Sequence, residues 1–276
     1  MKKTITACAV AAFAVGLYAI DSEATLPVTG SAKEYTKTAY TITEKFGDYY
    51  RAPSAKYVHI FDASGRETET VELTAKDSFV ERVLFTYNDS GKLVNANCVD
   101  ADGRTNWKIV TTYDSNGNKL DESEYNANDV LTSKTIWKFI NRQSEEAFYN
   151  ADGGLLGKTI SKYDDQNRPI EVCQYNANGQ LELKRTYVYN DANKLAEVNY
   201  FGGDGVQERK LVYRFDANYA ITEAQTYNAA GKLTVRVIYK YDSSGNVAKT
   251  TTYNVAEKFG TTVNELVDIN EYAFKY

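Results

Sequence analysis

Tyr175-Asn176-Ala177-Asn178-Gly179-Gln180-Leu181, followed by Tyr189-Asn190-Asp191-Ala192-Asn193, decides the fold of this chain. An aromatic residue, then Asn or Asp, two small residues and then Gly or Asn describes a strand running into a tight turn. Asn or Asp caps the turn and Gly takes the position that needs a positive φ. The unit recurs along nearly the whole chain. One class of turn begins at Phe61, Tyr87, Tyr113, Phe139, Tyr163, Tyr189, Phe215 and Tyr241, with differences of 26, 26, 26, 24, 26, 26 and 26. A second class begins at Val99, Tyr125, Tyr149, Tyr175, Phe201, Tyr227 and Tyr253, with differences of 26, 24, 26, 26, 26 and 26. Degenerate copies stand at Leu73 and at Val267–Glu271. A fixed period of this kind marks a repeat architecture.

Steps from turn to turn alternate between 14 and 12 residues, as from Tyr175 to Tyr189 and from Tyr189 to Phe201. With about four residues in each turn, the strands are roughly ten and eight residues long. Alternation supports strands: Leu181, Leu183, Arg185, Tyr187 and Tyr189 mark one face, and Glu182, Lys184, Thr186 and Val188 the other. Connections this short join only antiparallel neighbours, so the fold class is all-β, a meander of about sixteen to eighteen strands in one sheet. The 14/12 inequality advances each hairpin by about two residues, the ratio of shear to strand number in an eight-stranded barrel with a tilt of ~36°. The sheet is therefore expected to coil into a half-pipe, spiral or open barrel. Residues 25–56 form a lead-in, either strands or a cap over the first sheet edge, and residues 57–276 form the repeat domain.

Composition narrows the function classes. The chain has 276 residues, a net charge of −5 and no Lys/Arg-rich run, which argues against nucleic-acid binding. Its aromatics are 23 Tyr, 11 Phe and 2 Trp. Tyr, with an apolar face and a polar tip, suits a half-buried β surface. Residues 1–24 read as a signal peptide: Lys2 and Lys3, an apolar run from Ile5 to Ile20, then Ser22-Glu23-Ala24. Secretion or residence in the cell envelope follows, with no membrane span in the mature chain. Cys98 and Cys173 lie six strands apart, about 29 Å at roughly 4.8 Å per strand, and are expected to be unpaired.

Little in the sequence carries chemistry. Asp100-Ala101-Asp102-Gly103 and Asp114-Ser115-Asn116-Gly117 have the residues of a turn, without the length or the bidentate acid of a calcium loop. His59 is the only histidine and falls in an aromatic stripe, so a packing role is expected. Glu171, Glu197 and Glu223 recur at one repeat position, which describes a solvated array and singles out no acid pair. No catalytic residue, metal set or cofactor motif is expected, and the chain reads as a non-enzyme. The binding candidates are aromatics that form rows across strands: Tyr87, Tyr113, Trp137, Tyr187, Tyr189, Tyr213, Tyr239 and Tyr241. They are either a ladder for sugar rings or the repeat's own core. A membrane barrel is disfavoured because the alternation puts Glu171, Glu197, Glu223 and Lys249 on the stripe side, where lipid-facing charges cost about 2–4 kcal/mol each for Lys and somewhat less for Glu.

Tyr239-Lys240-Tyr241-Asp242-Ser243-Ser244-Gly245-Asn246 resembles the Tyr-x-Tyr-Asp-x-x-Gly core of bacterial YD (RHS-type) repeats. Thr112-Tyr113-Asp114-Ser115-Asn116-Gly117-Asn118 fits it in part, with Thr111 where the first aromatic would stand. The resemblance covers roughly residues 57–271. It implies a curling β shell in a secreted or surface-displayed bacterial protein. The period of 26 is longer than is usual in that family, and the repeats run almost to Tyr276 with no following toxin-like domain. Choline- and glucan-binding repeats are a weaker likeness, since those rely on Trp. The expectation is an exported scaffold or binding surface whose partner is a cell-surface polysaccharide or another envelope protein, with a carbohydrate-binding module as the alternative.

Overall fold

The computed structural model describes residues 28–276, so the signal segment 1–24 lies outside the described residues. Eighteen strands follow one another without a helix. They are β1 (Glu34–Lys45), β2 (Asp48–Phe61), β3 (Glu67–Thr74), β4 (Phe79–Tyr87), β5 (Leu93–Val99) and β6 (Thr105–Tyr113). Next come β7 (Lys119–Asn126), β8 (Leu131–Ile140), β9 (Gln143–Asn150), β10 (Leu155–Tyr163), β11 (Pro169–Asn176) and β12 (Leu181–Tyr189). The last six are β13 (Leu195–Gly202), β14 (Gln207–Phe215), β15 (Ile221–Asn228), β16 (Leu233–Tyr241), β17 (Val247–Lys258) and β18 (Thr261–Lys275).

Each strand pairs antiparallel with the next, and β1 also pairs with β18, from Glu34↔Lys275 to Tyr40↔Ile269. The meander is therefore a closed barrel, which corrects the expectation of a half-pipe, spiral or open barrel. Closure comes from the lead-in: β1 lies between β2 and β18 and removes both sheet edges. The register carries the slide that coils the sheet. Leu84 faces Asn97, and Asn97 faces Lys108, two residues short of a full period. Val212, Gln225 and Arg236 repeat the step. Shear thus nearly equals strand number, giving a tilt of ~36°, and a barrel of sixteen to eighteen strands is wide enough for interior space.

The turns explain the period. In one copy Asp114 Oδ1 accepts the backbone N–H of Asn116 and of Asn118 at 2.9 and 2.8 Å, and Gly117 holds φ at 77°. In another, Asn190 Oδ1 accepts from Ala192 and Lys194, and Asn193 takes the left-handed position at φ 59°. Asp100 Oδ1 likewise accepts from Asp102 and Arg104, both at 2.9 Å, so the calcium-like loops use their carboxylates on their own backbone. The shortfall of two residues falls in the β8–β9 connection, where Ile140↔Gln143 closes a two-residue turn at Asn141-Arg142.

Beside the turns sits a β-bulge, which the alternation alone does not show. Tyr175 faces Leu181 and Gln174 faces Leu183, leaving Glu182 as an extra residue. The side-chain phase flips there. Leu181 therefore lies on the face opposite Leu183, Arg185 and Tyr187, contrary to the reading above. The same flip moves Glu171, Glu197, Glu223 and Lys249 to the face opposite the aromatic stripe, as Glu171↔Thr186, Glu197↔Val212, Glu223↔Ile238 and Lys249↔Lys240 show.

The stripe face is the inner one. Its residues are the more buried: Val198 is 0%, Tyr213 3% and Tyr239 5% exposed. Residues of β7, β9 and β12 feel one another across it, since Lys119, Glu122 and Arg185 all act on Glu146. Only a concave face brings such distant strands together. A buried latch joins the chain's ends to the wall. Asn246 Oδ1 accepts the Thr29 N–H at 2.6 Å, while its amide donates to Thr29 O at 3.0 Å and Tyr276 Oη at 2.9 Å.

Two variants test this account. Tyr219 occupies the left-handed turn position at φ 60°, so Tyr219→Gly should add about 1 kcal/mol and raise Tm by about 2–4 °C in thermal melts. Asn246→Ala should cost about 1–3 kcal/mol by leaving the Thr29 groups unpaired, and an unchanged Tm would remove the latch from the account.

Candidate ligand cavity in the barrel lumen

Inner positions form columns that repeat with the chain. Residues 85, 111, 137, 161, 187, 213 and 239 are Phe, Thr, Trp, Ser, Tyr, Tyr and Tyr. Residues 70, 96, 122, 146, 172, 198, 224 and 250 are Thr, Ala, Glu, Glu, Val, Val, Ala and Thr. The barrel wall is regular, but the lumen is not. From β12 round to β2 the columns carry Tyr and aliphatic residues, and Tyr35, Val198, Tyr200, Tyr213 and Tyr239 belong to one apolar cluster. His59 is part of this region: it stacks on Tyr35 with ring centroids 4.3 Å apart, and its Nδ1 lies 2.5 Å from Glu67 Oε1.

All eight aromatic binding candidates lie on this inner face. Four of them tie their hydroxyls to backbone: Tyr87 donates to Glu67 O at 2.6 Å, Tyr113 to Leu93 O at 2.7 Å, and Tyr189 and Tyr241 to Pro169 O and Ile221 O at 2.8 Å. Each bond clasps the turn at the start of the preceding repeat. Cations cover three of these rings, with Arg66 over Tyr87 at 5.0 Å, Lys92 over Tyr113 at 5.6 Å and Arg168 over Tyr189 at 4.2 Å. Burial raises the pKa of Tyr87, Tyr113 and Tyr189, and pushes that of Tyr241 up to about 12. Tyr187, Tyr213 and Tyr239 pack in the apolar cluster. Trp137 belongs to a polar group: Lys119 Nζ lies 4.4 Å from its ring centroid, and its indole bonds Glu146.

Between β2 and β7 the columns lose bulk, and a cavity of about 220 Å³ opens. Ala96 and Thr111 stand where other repeats place Val198 and Tyr187. Tyr57, Val83, Phe85, Trp107 and Ile109 supply apolar walls, and Glu72, Glu81 and Glu122 supply carboxylates. Glu122 is neutralised, accepting from Lys119 Nζ at 2.7 Å. Glu72 and Glu81 are directly opposite each other on β3 and β4, two like charges in a cross-strand pair. Burial, and then Glu81, raises the Glu72 pKa. Burial, and then Glu72, raises that of Tyr57. Neighbouring cations pair elsewhere: Arg82, which also lines the cavity, pairs with Glu69 at 3.6 Å, and Lys56 reaches Asp77 at 2.5 Å. Among the described residues neither Glu72 nor Glu81 has an ion-pair partner. Cys98 closes the wall between β4 and β6. Burial, with Glu81 beside it, pushes its thiol up to about 12, which makes it inert. Cys98 and Cys173 are both free and lie on opposite faces of the wall.

The sequence reading passed over Glu72, Glu81, Tyr57 and Trp107. Their signal lay in the pairing of columns: Glu72 shares its column with Glu124, Tyr200, Thr226 and Thr252, and Glu81 with Trp107, Leu183, Arg209 and Val235, and no other repeat sets two acids opposite each other there. It becomes readable only once the bulges fix which residues share a face. Among the described residues no three His, Cys, Asp or Glu side chains converge to hold a metal ion.

The outer face is an ion-pair belt. Lys134–Asp121, Lys158–Glu145, Lys184–Glu171, Lys210–Glu197 and Arg236–Glu223 link successive strand pairs at 3.5, 3.4, 3.0, 3.5 and 2.6 Å. Lys108, Lys158, Lys184 and Lys210 also cover Tyr125, Tyr175, Phe201 and Tyr227 on the next strand at 5.1, 5.9, 5.8 and 5.8 Å.

No family model and no curated protein matches this chain. Among solved structures, the chain is similar to a porin-like protein from Bacteroides uniformis at 12% identity and a TM-score of 0.33, covering 90% of this chain and 99% of that one. It is also similar to a LolA superfamily protein from Nitrosomonas europaea at 10% identity and a TM-score of 0.26, covering 89% and 86%. A third, the TcdB2-TccC3 structure, has 12% identity and a TM-score of 0.24 over 83% of this chain and 16% of that one. Likenesses this distant carry no argument here.

Two outcomes follow from the geometry. Tyr189→Phe should cost about 1 kcal/mol by freeing the Pro169 carbonyl, read as a Tm lower by about 2–4 °C. Because the Glu72 pKa is raised in the folded barrel, the native state holds more protons than the unfolded chain above the ordinary carboxylate range, and stability falls as pH rises through it. Glu72→Gln should therefore melt higher than the parent at pH 7, and the difference should vanish as the pH falls below that range.

Proposed function

We propose that this chain is an exported, non-catalytic β-barrel of the cell envelope that holds a small, largely apolar molecule in its lumen. The observation that carries the reading is the cavity of about 220 Å³ walled by Tyr57, Phe85, Trp107 and Ile109. Export rests on the Lys2-Lys3 start and the apolar run that follows it. An aqueous exterior rests on the ion-pair belt, since rings of Lys, Glu and Arg at mid-strand would each face hydrocarbon in a membrane barrel. A cell-surface polysaccharide stacked on the Tyr rows is less favoured, because those rows are inside and four of their hydroxyls are held by backbone carbonyls. Nor does the site favour catalysis: the one histidine is stacked and bonded to Glu67 away from the cavity.

Trp107 reports on the cavity directly. Titrating the purified barrel in detergent-free buffer with a neutral aromatic such as indole or 2-phenylethanol should give saturable binding by calorimetry, with a change in Trp emission lost in Trp107→Phe. Ala96→Leu, which fills the space between Phe85 and Ile109, should abolish uptake while circular dichroism stays unchanged. Absence of saturable binding to the parent protein, or pelleting with insoluble polysaccharide instead, would overturn the reading.

A further inference from the structure

The lumen cavity has a charge as well as a shape, and the charge is uncompensated. Lumen carboxylates outside the Glu72–Glu81 pair have polar partners of their own: Glu67 lies against His59 and Thr70, Glu122 against Lys119, Glu124 accepts from Ser133 Oγ at 2.9 Å, and Glu146 lies within the field of Lys119 and Arg185. Glu72 and Glu81 face each other across β3 and β4 with no cation. A pair of like charges directly opposite on a sheet is destabilising, and at the same two facing positions other repeats hold Cys98 with Trp107, Glu124 with Ser133, Gln174 with Leu183, Tyr200 with Arg209 and Thr226 with Val235, never two acids. The pair is therefore a departure from the wall's own pattern, set at the edge of the one apolar hollow described above.

Resting on the lumen-ligand reading, we infer that the cavity takes an organic cation: an ammonium group at Glu72 and Glu81, on an aromatic or short alkyl body that enters the apolar hollow. Geometry and chemistry meet there. Tyr57 is the cross-strand neighbour of Glu72, and Trp107 lines the same cavity two strands from Glu81, beyond Cys98. Aromatic faces attract cations most strongly where water is scarce. The volume fits a ring with a short chain, since a cavity of about 150 Å³ suffices for benzene. A hard divalent metal ion is a poor match, because it requires about six to eight oxygen ligands and the walls around the two carboxylates are aromatic and aliphatic.

Binding of 2-phenylethylammonium, 2-phenylethanol and 3-phenylpropionate to the intact barrel, measured by calorimetry at pH 7, tests this. The ammonium should bind at least about tenfold tighter than the alcohol, a difference of about 1.4 kcal/mol, and the carboxylate should bind weakest. In Glu72→Gln/Glu81→Gln the preference should collapse to within about twofold while the alcohol binds as before. Those Gln residues relieve the like-charge pair, so the fold should survive, and the ligand series on the parent protein decides the question without any variant. Equal affinity for ammonium and alcohol would overturn the cation inference and leave the lumen reading standing. Binding of none of the three would overturn both. Calcium binding that is lost in the double variant, with no ammonium preference, would replace the organic cation by a metal ion and sink the inference.

Discussion

The structure depends on one local interaction, the Asn or Asp side chain that opens most repeat turns and accepts two backbone N–H groups two and four residues ahead. The contact fixes five residues into a compact loop and places the fourth in the left-handed region, where Gly, Asn or Asp is comfortable. Asp114, Asn176, Asn190 and Asp242 all make it. Because the loop is the same length at both ends of the barrel, differences in strand length have nowhere to go except into slide along the sheet. Two residues of slide per hairpin, repeated round eighteen strands, curve the sheet until its edges meet. The barrel is thus a consequence of turn chemistry, and its curvature needs no long-range instruction.

Closure makes the two faces unequal, and the sequence uses each accordingly. Inside, side chains converge, so large aromatics gather into one cluster and the buried hydroxyls must find partners. Tyr87, Tyr113, Tyr189 and Tyr241 do so by the same bond, each to a carbonyl twenty residues earlier. Outside, side chains splay, and the repeat lays Lys between an acid on one side and an aromatic on the other. Each such pair contributes little by itself in water, on the order of 0–1 kcal/mol. Their regular recurrence matters more for what it excludes, a hydrocarbon environment around the wall. Strands β17, β18, β1 and β2 are the exceptions in length and run past the rim as two hairpins. Both tips read Glu-Lys-Phe-Gly, at Glu44–Gly47 and Glu257–Gly260, with Phe46 and Phe259 fully exposed.

The legible part of the fold was what depends on spacing. The positions of Phe61 through Tyr241 announce the period, the antiparallel meander and its coiling before any coordinate is known. The illegible part depends on phase and on distance. The extra residue at Glu182 and its counterparts reverse which face Leu181, Glu171 and Glu223 occupy, because a side-chain period of two turns a single-residue insertion into an inversion. Nothing in the local pattern near Glu182 marks it as a bulge, since Leu-Glu-Leu alternates as a plain strand would. Closure was hidden for a different reason. The strand that seals the ring, β1, comes from Glu34–Lys45, where the repeat is too eroded to read, and it meets β18 across more than two hundred residues. The same limits hid the cavity. Its acids are ordinary glutamates in a chain rich in glutamate, and they become a site only when the bulges bring Glu72 and Glu81 to the inside.

A repeat protein gives an internal standard for judging its own side chains. Each wall position is occupied several times under nearly the same backbone constraint, so the residues that suit the architecture can be read from the majority. Tyr, Thr and Val dominate the inner columns of β13 to β17, and the one charge among them, Arg209, lies over the Tyr200 ring at 3.6 Å. Against that standard, Glu122 and Glu146 are departures that bring their own cations, Lys119 and Arg185, and so remain within the structural logic of the wall. Glu72 and Glu81 depart without one, at neighbouring positions, next to space vacated by Ala96 and Thr111. Two opposed carboxylates are relieved either by a proton on Glu72, whose pKa burial and Glu81 raise, or by a cation from outside the chain, for which the apolar hollow beside them leaves room.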